Sequence, residues 1–519
     1  MGLYISVSDA VYITTPIYYV NDVPHIGHSY TTIIADVLAR YYRLMGRKVF
    51  FLTGTDEHGQ KIEKAAEAKG LSPQELVDGV VLRYQSMWLD LNISYDRFIR
   101  TTDSDHVSVV QAVFKQLYDK GHIYLGEYEG LYCHHCEAYY TDTQASEKCC
   151  PDCERELTVL KEEAFFFRLS TFSSDVKSYI LSHDDFVLPI SRRNEILSYI
   201  DSGLTDLCIS RTTIRWGIEV PDLGIQLSKK HYIYVWFDAL LNYLSGIQFQ
   251  QESSSFERFW PPTIQLIGKD ILKFHALIWP AMLFAMGLSL PKHVFGHGFI
   301  YQGGEKMSKS KGNVLSPSVI VEKYSVDAFR YFLTREMVLG HDGTYTDENM
   351  LQRYNSDLAN DYGNLLNRTL TMMGKYFDFQ IGFFTQSDLE DSERVLEREA
   401  KILVGNVEIC MSEFKLSVAL ETIFCVIRQA NKYIEQCAPW ALHKNNQLSK
   451  LMAVMVQILE TLRIVSLCLS PYMPSAVEQV FAQLNIHEDL VNPRPDLFEW
   501  GYFKPGMALG RPEPIFPRK

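Results

Sequence analysis

The chain has 519 residues, 47% of them hydrophobic and 13% aromatic, which supplies several packed cores and excludes a disordered chain. Its formal charge is −13, from 50 Lys and Arg against 63 Asp and Glu, so any nucleic-acid footprint must be a local basic track on an acidic body. No apolar run reads as a bilayer span, the first strand begins near Val11, and the ten cysteines do not form a secreted disulfide framework; a cytoplasmic protein without a membrane partner is expected. Residues 11–15 read as a buried strand, followed by a polar loop and an amphipathic helix over 29–45 that Gly46 closes. Between them stands His25-Ile26-Gly27-His28. Free amides at a helix start, the positive end of its dipole and two imidazoles suit a phosphate, although solvated caps would satisfy the same four residues.

Residues 49–53 form a second buried strand, completing the start of a parallel nucleotide-binding unit whose ligands sit beyond the carboxyl ends of its strands. Asp56, in TDEHG, falls just there and suits an ammonium or a ribose; a turn aspartate is the plainer alternative. Ser72-Pro73-Gln74-Glu75 is a capping box that opens a helix to about Leu91.

From about Lys120 the pattern changes. Cys133 and Cys136 form one CxxC, and Cys150 and Cys153 a second, thirteen residues later. Two such turns aim four sulfurs at one point, the usual structural zinc arrangement, with disulfides or a redox pair as alternatives. Cys149, His134 and His135 are spare donors nearby. Further on, YIYVWFDALLNY reads as a strand entering a helix and IQLIGKD as a strand running into a loop, and His275 falls one turn into the helix that follows. The basic loop Lys306-Met307-Ser308-Lys309-Ser310 needs a polyanion or solvent to neutralise it. A helix is expected over 321–333, and beyond Met350 the pattern is helical throughout, at 358–373, 395–414, 418–437, 448–469 and 476–484. Asn364 and Arg368 share one helical face, and Pro439-Trp440 ends the third helix; amide, guanidinium and indole can read splayed bases, while capping and packing explain them equally.

HIGH and KMSKS together are similar to the paired signature of the class I aminoacyl-tRNA synthetases. PIYYVND before HIGH, GTDEHG, the cysteine knuckles, CISR with WGIEVP, YVWFDALLNY, GKDILKFH, KMSKSKGN, LANDYGNLLNR and the late PW, in that order, resemble the methionyl-tRNA synthetase family over nearly the whole chain. The resemblance implies an α/β fold: a Rossmann-type parallel-sheet catalytic domain split by a zinc-knuckle connective insertion, then an α-helical anticodon-binding bundle. Its expected divisions are 1–118 and 231–298 for the two catalytic halves, 119–230 for the insertion, 299–350 for a KMSKS stem-contact segment and 351–519 for the bundle.

Carried over by matched position, the resemblance implies a methionine pocket from Pro16, Ile17, Tyr19, Asp56, Trp236, Ala239, Tyr243 and His275. It assigns ATP to His25, Gly27, His28, Lys306 and Lys309, with the two histidines and two lysines catalytic, and the anticodon to Asn364, Arg368 and Trp440. Zn2+ on Cys133, Cys136, Cys150 and Cys153, and Mg2+ with ATP, are the implied ions; tRNA(Met), ATP and L-methionine are the implied partners. Where a common family variant has glycine after the second knuckle, this chain has Glu154, which puts that turn in doubt. The chain stops at Lys519, leaving no room for the appended tRNA-binding or dimerising extension of some relatives, so a monomer is expected.

Three rivals share parts of this pattern. A synthetase for leucine, isoleucine or valine needs a large editing insertion between the two signatures, because one methylene is worth only about 1–3 kcal/mol of discrimination, and the interval here is too short. A catalytically dead RNA-binding paralogue would have no need of His25, His28, Lys306 and Lys309. A small-molecule nucleotidylyltransferase would leave the helical C-terminal third without a task.

Overall fold

The computed structural model describes residues 10–519 except 21–23, 137, 141–144, 146–148, 152, 213, 251–253, 303–304, 307–315, 492 and 495. The chain forms two compact units, one from residues 1–24 with 49–297 and one from 25–48 with 298–519.

The first unit is organised on a six-stranded sheet. In spatial order its strands are Arg97–Arg100, Lys48–Asp56, Ala10–Tyr19, Ile264–Gly268, His293–His297 and Val187–Leu188. The pairings of 48–56 with 97–100, 10–19 with 264–268, 264–268 with 293–297, and 293–297 with 187–188 are parallel. Sequence order runs outward in both directions from the junction of Ala10–Tyr19 with Ile264–Gly268, except that the edge strand Val187–Leu188 precedes both Ile264–Gly268 and His293–His297 in the chain. That junction is the topological switch point, where such sheets open a crevice at the strands' carboxyl ends. Tyr12, Leu52, Ile267 and Val294 bury one face of the sheet against Leu244, Ile247, Trp279 and Leu283. The first strand runs to Tyr19 rather than ending near Thr15, so PIYY is strand end and not loop.

The interval between the sheet's two halves carries a second, four-stranded sheet ordered Ala138–Tyr140, Ile123–Cys133, Thr158–Phe167, Leu207–Cys208. Its long antiparallel pair registers Ile123 with Phe167 through Tyr132 with Thr158. The same interval returns Val187–Leu188 to the edge of the main sheet. Two residues are too few for a sequence pattern, and this strand was not anticipated.

The second unit holds the helix Ile26–Leu44 together with the C-terminal helices. The expected helix over 321–333 is two helices, Pro317–Tyr324 and Val326–Glu336, broken at Ser325, whose φ of 96° no continuous helix accepts. Residues Tyr354–Gly363 form a π-helical stretch that feeds Asn364–Phe377, where one regular helix was expected. The bundle is completed by Val395–Ser412, Leu416–Cys437, Leu448–Leu469 and Pro474–Leu484. Contrary to the expectation of no bilayer-length apolar run, Leu448–Leu469 is long and apolar enough to cross a membrane; its apolar window is wholly buried inside the protein. Buried Arg330 links the helices of this unit: it pairs with Asp36 at 2.6 Å and donates to the carbonyls of Pro471 and Tyr472.

Candidate active site and metal centre

His25 is the N-cap of the helix Ile26–Leu44, so that helix begins three residues earlier than its apolar periodicity suggested. The His25 Nδ1 accepts from the Gly27 amide at 3.1 Å, and the His28 Nδ1 accepts from the His25 amide at 3.2 Å. The caps and the phosphate-binding reading are therefore compatible. Because both Nδ1 atoms are acceptors, both neutral rings carry their proton on Nε2, the nitrogen that can donate to an anion. Burial pulls the pKa of each imidazole down, most strongly for His28, with His25 adding to the effect there, so neutral rings prevail at pH 7. The rings stack with centroids 3.9 Å apart. A Cβ at Gly27 would stand 2.9 Å from the His25 ring, so a larger residue there would have to displace that ring.

The proposed pocket residues of the first unit lie at the carboxyl ends of its strands and on the segments that follow. Pro16, Ile17 and Tyr19 end one strand and Asp56 the next; all but Asp56, which is buried, are half-buried. The short helix Val235–Leu240 contributes Trp236 and Ala239. Trp236 stacks on Phe274 at 3.7 Å, next to His275 in the π-helical turn Phe274–Ile278. His275 Nδ1–H donates to the Ile271 carbonyl at 3.1 Å, so its Nε2 accepts from the Tyr243 hydroxyl at 2.7 Å. The Tyr12 hydroxyl in turn donates to the Tyr243 carbonyl. Burial lowers the His275 pKa to about 4, keeping the ring neutral. Tyr243 and His275 thus satisfy each other, and the walls around them are aromatic.

The loop after Asp56 is fixed by groups that the sequence reading passed over. Fully buried Glu57 accepts from both arms of Arg100, at 2.8 and 2.9 Å, and from Thr55 and Thr102. The His58 ring bonds Asp238 at 2.7 Å, and its carbonyl accepts from the Tyr19 hydroxyl. For one of them the signal was present in the sequence: Asp238 is a charged residue inside an otherwise apolar stretch, where burial demands a partner. Arg211 is buried at 2% exposure, donates to Cys208 Sγ and the Ser210 carbonyl, and faces the rings of Tyr132 and Tyr234.

The Sγ atoms of Cys133, Cys136, Cys150 and Cys153 all lie within 4.8 Å of one another, the pairs 133–153 and 136–150 at 3.5 and 3.7 Å. All four are free thiols, which removes the disulfide alternative. Sulfurs about 2.3 Å from a common tetrahedral centre stand about 3.8 Å apart, so this cluster fits and can hold a metal ion. Burial, then the neighbouring thiols, pushes the Cys136 pKa up; a cation reverses that by favouring thiolates. Cys149 lies outside the cluster, and His134 bonds Gln60 and Thr158 instead. Glu154, where a common family variant has glycine, has a φ of 61°, so the turn keeps the left-handed backbone that glycine favours and a glutamate occupies it.

Asn364 and Arg368 lie one turn apart on the outer face of Asn364–Phe377, and Arg368 pairs with Glu435 at 2.5 Å. Trp440, 47% exposed, sits in the short helix Pro439–Lys444 that starts after left-handed Ala438. Lys306 belongs to the short strand Glu305–Lys306, and Lys309 lies outside the described residues.

Two family models match: tRNA synthetases class I (M) over residues 11–160 and 153–370, and the anticodon binding domain of methionyl tRNA ligase over 385–519. The methionine–tRNA ligase of Caldanaerobacter subterraneus is 48% identical over 98% of this chain and 78% of its own length. This chain belongs to the class I methionyl-tRNA synthetases. That of Clostridium perfringens is 47% identical with the same coverage of both chains. A Mycobacterium tuberculosis methionyl-tRNA synthetase structure in complex with methionyl-adenylate aligns at a TM-score of 0.91 and 37% identity, over 98% of this chain and 100% of the other. Its free-state form aligns at 0.84 and 34% identity, over 99% of each chain. An aminoacyl-tRNA synthetase of this family uses ATP, methionine and tRNA, and the fold and signatures described above are the family's.

Proposed function

We propose that the enzyme condenses L-methionine with ATP to methionyl-adenylate and pyrophosphate, then transfers the methionyl group to the terminal ribose of tRNA(Met). The observation that carries the amino-acid assignment is the closed Tyr243–His275 pair beside the Trp236–Phe274 stack. A wall whose polar atoms satisfy one another costs an unbranched thioether nothing to enter and offers sulfur–aromatic contact. Pro16, Ile17, Tyr19, Trp236, Ala239, Tyr243 and His275 surround that side chain, and the Asp56 carboxylate takes the α-ammonium.

The methionine carboxylate is already a nucleophile, so the chemistry asks for alignment with the α-phosphorus and for neutralisation of charge that develops toward pyrophosphate. His25 and His28 donate from Nε2 to phosphate oxygens, Gly27 presents its helix end, and Lys306 and Lys309 supply positive charge. Mg2+, arriving with ATP, neutralises phosphate charge when bound. Zn2+ is the ion that four thiolates in tetrahedral reach suit best, with a structural role. Asn364, Arg368 and Trp440 read the anticodon; what favours this is an amide and a guanidinium on one face of Asn364–Phe377 and an exposed indole on Pro439–Lys444. The working division is a catalytic domain in 1–118 and 231–298, a connective insertion in 119–230, a stem-contact segment in 299–350 and an anticodon-binding domain in 351–519. The monomeric state and a cytoplasmic site of action belong to the same proposal.

The deciding measurement is amino-acid-dependent exchange of pyrophosphate into ATP across the twenty amino acids, without tRNA. Exchange with methionine alone is expected. Exchange driven by leucine or isoleucine would overturn the pocket assignment.

A further inference from the structure

Asp238 lies in the middle of Val235–Leu240, a helix of six residues whose N-cap, Tyr234, makes no side-chain capping bond. A helix this short does not hold itself. Yet it carries Trp236 and Ala239, two walls of the pocket. Asp238 is completely buried, and its two oxygens are each taken by an imidazole: Oδ2 by His58 Nδ1 at 2.7 Å and Oδ1 by His106 Nε2 at 2.6 Å. His106 is also completely buried, and its Nδ1 lies 2.7 Å from the Ser245 hydroxyl. The carboxylate can only accept, so both rings donate to it; in a neutral His106 ring, Nδ1 then accepts from Ser245. Burial alone would raise the Asp238 carboxyl, but the two imidazoles outweigh it and hold it below the ordinary carboxylate range.

The three segments joined here are far apart in the chain. His58 is two residues beyond Asp56, in the loop clamped from its other side by Glu57 and Arg100. His106 belongs to the helix Ser104–Asp119. We propose that Asp238 is a positioning residue for methionine: held by His58 and His106, it fixes the separation between the Asp56 carboxylate, which takes the ammonium, and the Trp236–Ala239 wall, which takes the side chain. An ammonium and a thioether on one small ligand are held together only if both partners are fixed beforehand, and a displacement of about 1 Å is enough to lose much of that binding. This inference rests on the assignment of Asp56, Trp236 and Ala239 to the methionine pocket.

The test is methionine-dependent pyrophosphate exchange, with KM measured separately for methionine and ATP and melting followed in parallel. In Asp238→Asn one imidazole N–H meets an amide NH2, and methionine KM is expected to rise about tenfold or more while ATP KM stays within about twofold. His106→Gln and His106→Leu decide the matter if Asp238→Asn does not fold. Gln retains an N–H for Asp238 and is expected to stay within about threefold of the parent, whereas Leu is expected to match the Asp238→Asn effect. Equal methionine KM in His106→Gln and His106→Leu, or an unchanged methionine KM in a folded Asp238→Asn, would overturn the positioning role. Trp236→Ala and Asp56→Asn are run beside them: if they raise methionine KM and the Asp238 and His106 variants do not, the positioning role fails alone. If Trp236→Ala and Asp56→Asn also leave methionine KM unchanged, the pocket reading fails with it.

Discussion

Asp238 in the first unit and Asp327 in the second are both buried aspartates on helices, and their surroundings drive them in opposite directions. Asp238 is held below the ordinary carboxylate range, against the cost of burial, because two imidazoles donate to it. Asp327 is pushed up to about 6 by burial, which the nearby Arg330 only partly offsets; its Oδ2 accepts from the Ala476 amide and its Oδ1 has no hydrogen-bond partner among the described residues. The difference extends to the ligand-facing groups of the two units. Around the proposed methionine pocket Tyr243 is matched to His275 and His58 to Asp238 before any ligand arrives. On the bundle, Asn364 and Trp440 stand in solvent and Arg368 is held by one exposed ion pair. A small ligand that must be surrounded demands a finished site, whereas an RNA loop can be met by side chains standing out from a rigid helix.

Removing the proposed zinc is the largest expected perturbation of the closed kind of order. Thiolate–zinc binding is worth on the order of 10 kcal/mol in small domains, far above what the few apolar residues packed around these cysteines, Leu131, Ala145 and Leu157, can replace. Chelation of the purified protein is expected to release about one zinc per chain. The same treatment should expose the four thiols to an alkylating reagent and speed amide exchange in Ile123–Cys133 and Thr158–Phe167. The sheet built on Ala10–Tyr19 and Ile264–Gly268 should stay protected. Four thiols that react equally fast before and after chelation would mean the cluster holds no ion in solution.

The next effect separates the two ends of the reaction. Loss of one preorganised donor to developing phosphate charge costs about 10²–10³ in rate, so His28→Ala and Lys309→Ala are each expected to lower pyrophosphate exchange by that order. Trp440→Ala should leave exchange unchanged and weaken tRNA charging by about 1–3 kcal/mol, the worth of one stacked base. If Trp440→Ala lowered exchange as much as His28→Ala, the exposed and the closed regions would not divide the work as proposed.

How much of this was legible in the sequence follows from the kind of order involved. HIGH, the two CxxC turns and the apolar face of Leu448–Leu469 are local patterns, and local geometry produced what their spacing implied. The cap formed by His25 was half visible: the four residues identified a helix start, but the apolar period pointed three residues downstream, because Ile26 and Gly27 give no clear period of their own. The clamp on Asp238 was invisible as a unit. Its members are 132 and 180 residues apart along the chain, and nothing local in YVWFDALLNY says which histidines will meet the aspartate. The break at Ser325 was missed for a related reason: apolar spacing continues across it, and only the backbone turn reveals two helices.

The contrast between the two aspartates yields the smallest and sharpest prediction, since removal of charge should have opposite signs at the two sites. At Asp327 the folded protein holds its carboxyl proton up to about pH 6, while the ordinary value is 3.8. Below about pH 4 both folded and unfolded chains are protonated there and the group costs nothing; between pH 4 and 6 the folded state binds the extra proton, so stability falls as pH rises; above 6 the cost of the buried anion is fully present. The rise from 3.8 to about 6 sets a ceiling of roughly 3 kcal/mol on that cost. Asp327→Asn keeps an oxygen for the Ala476 amide and removes the charge, so it should melt higher than the parent at pH 8, with the two melting curves converging below about pH 4. A lower melting temperature at pH 8 would mean that attraction to Arg330 outweighs burial. Asp238→Asn, stripped of an acceptor that two imidazoles require, should melt lower than the parent at the same pH, because there the charge is what the surrounding donors were built to meet.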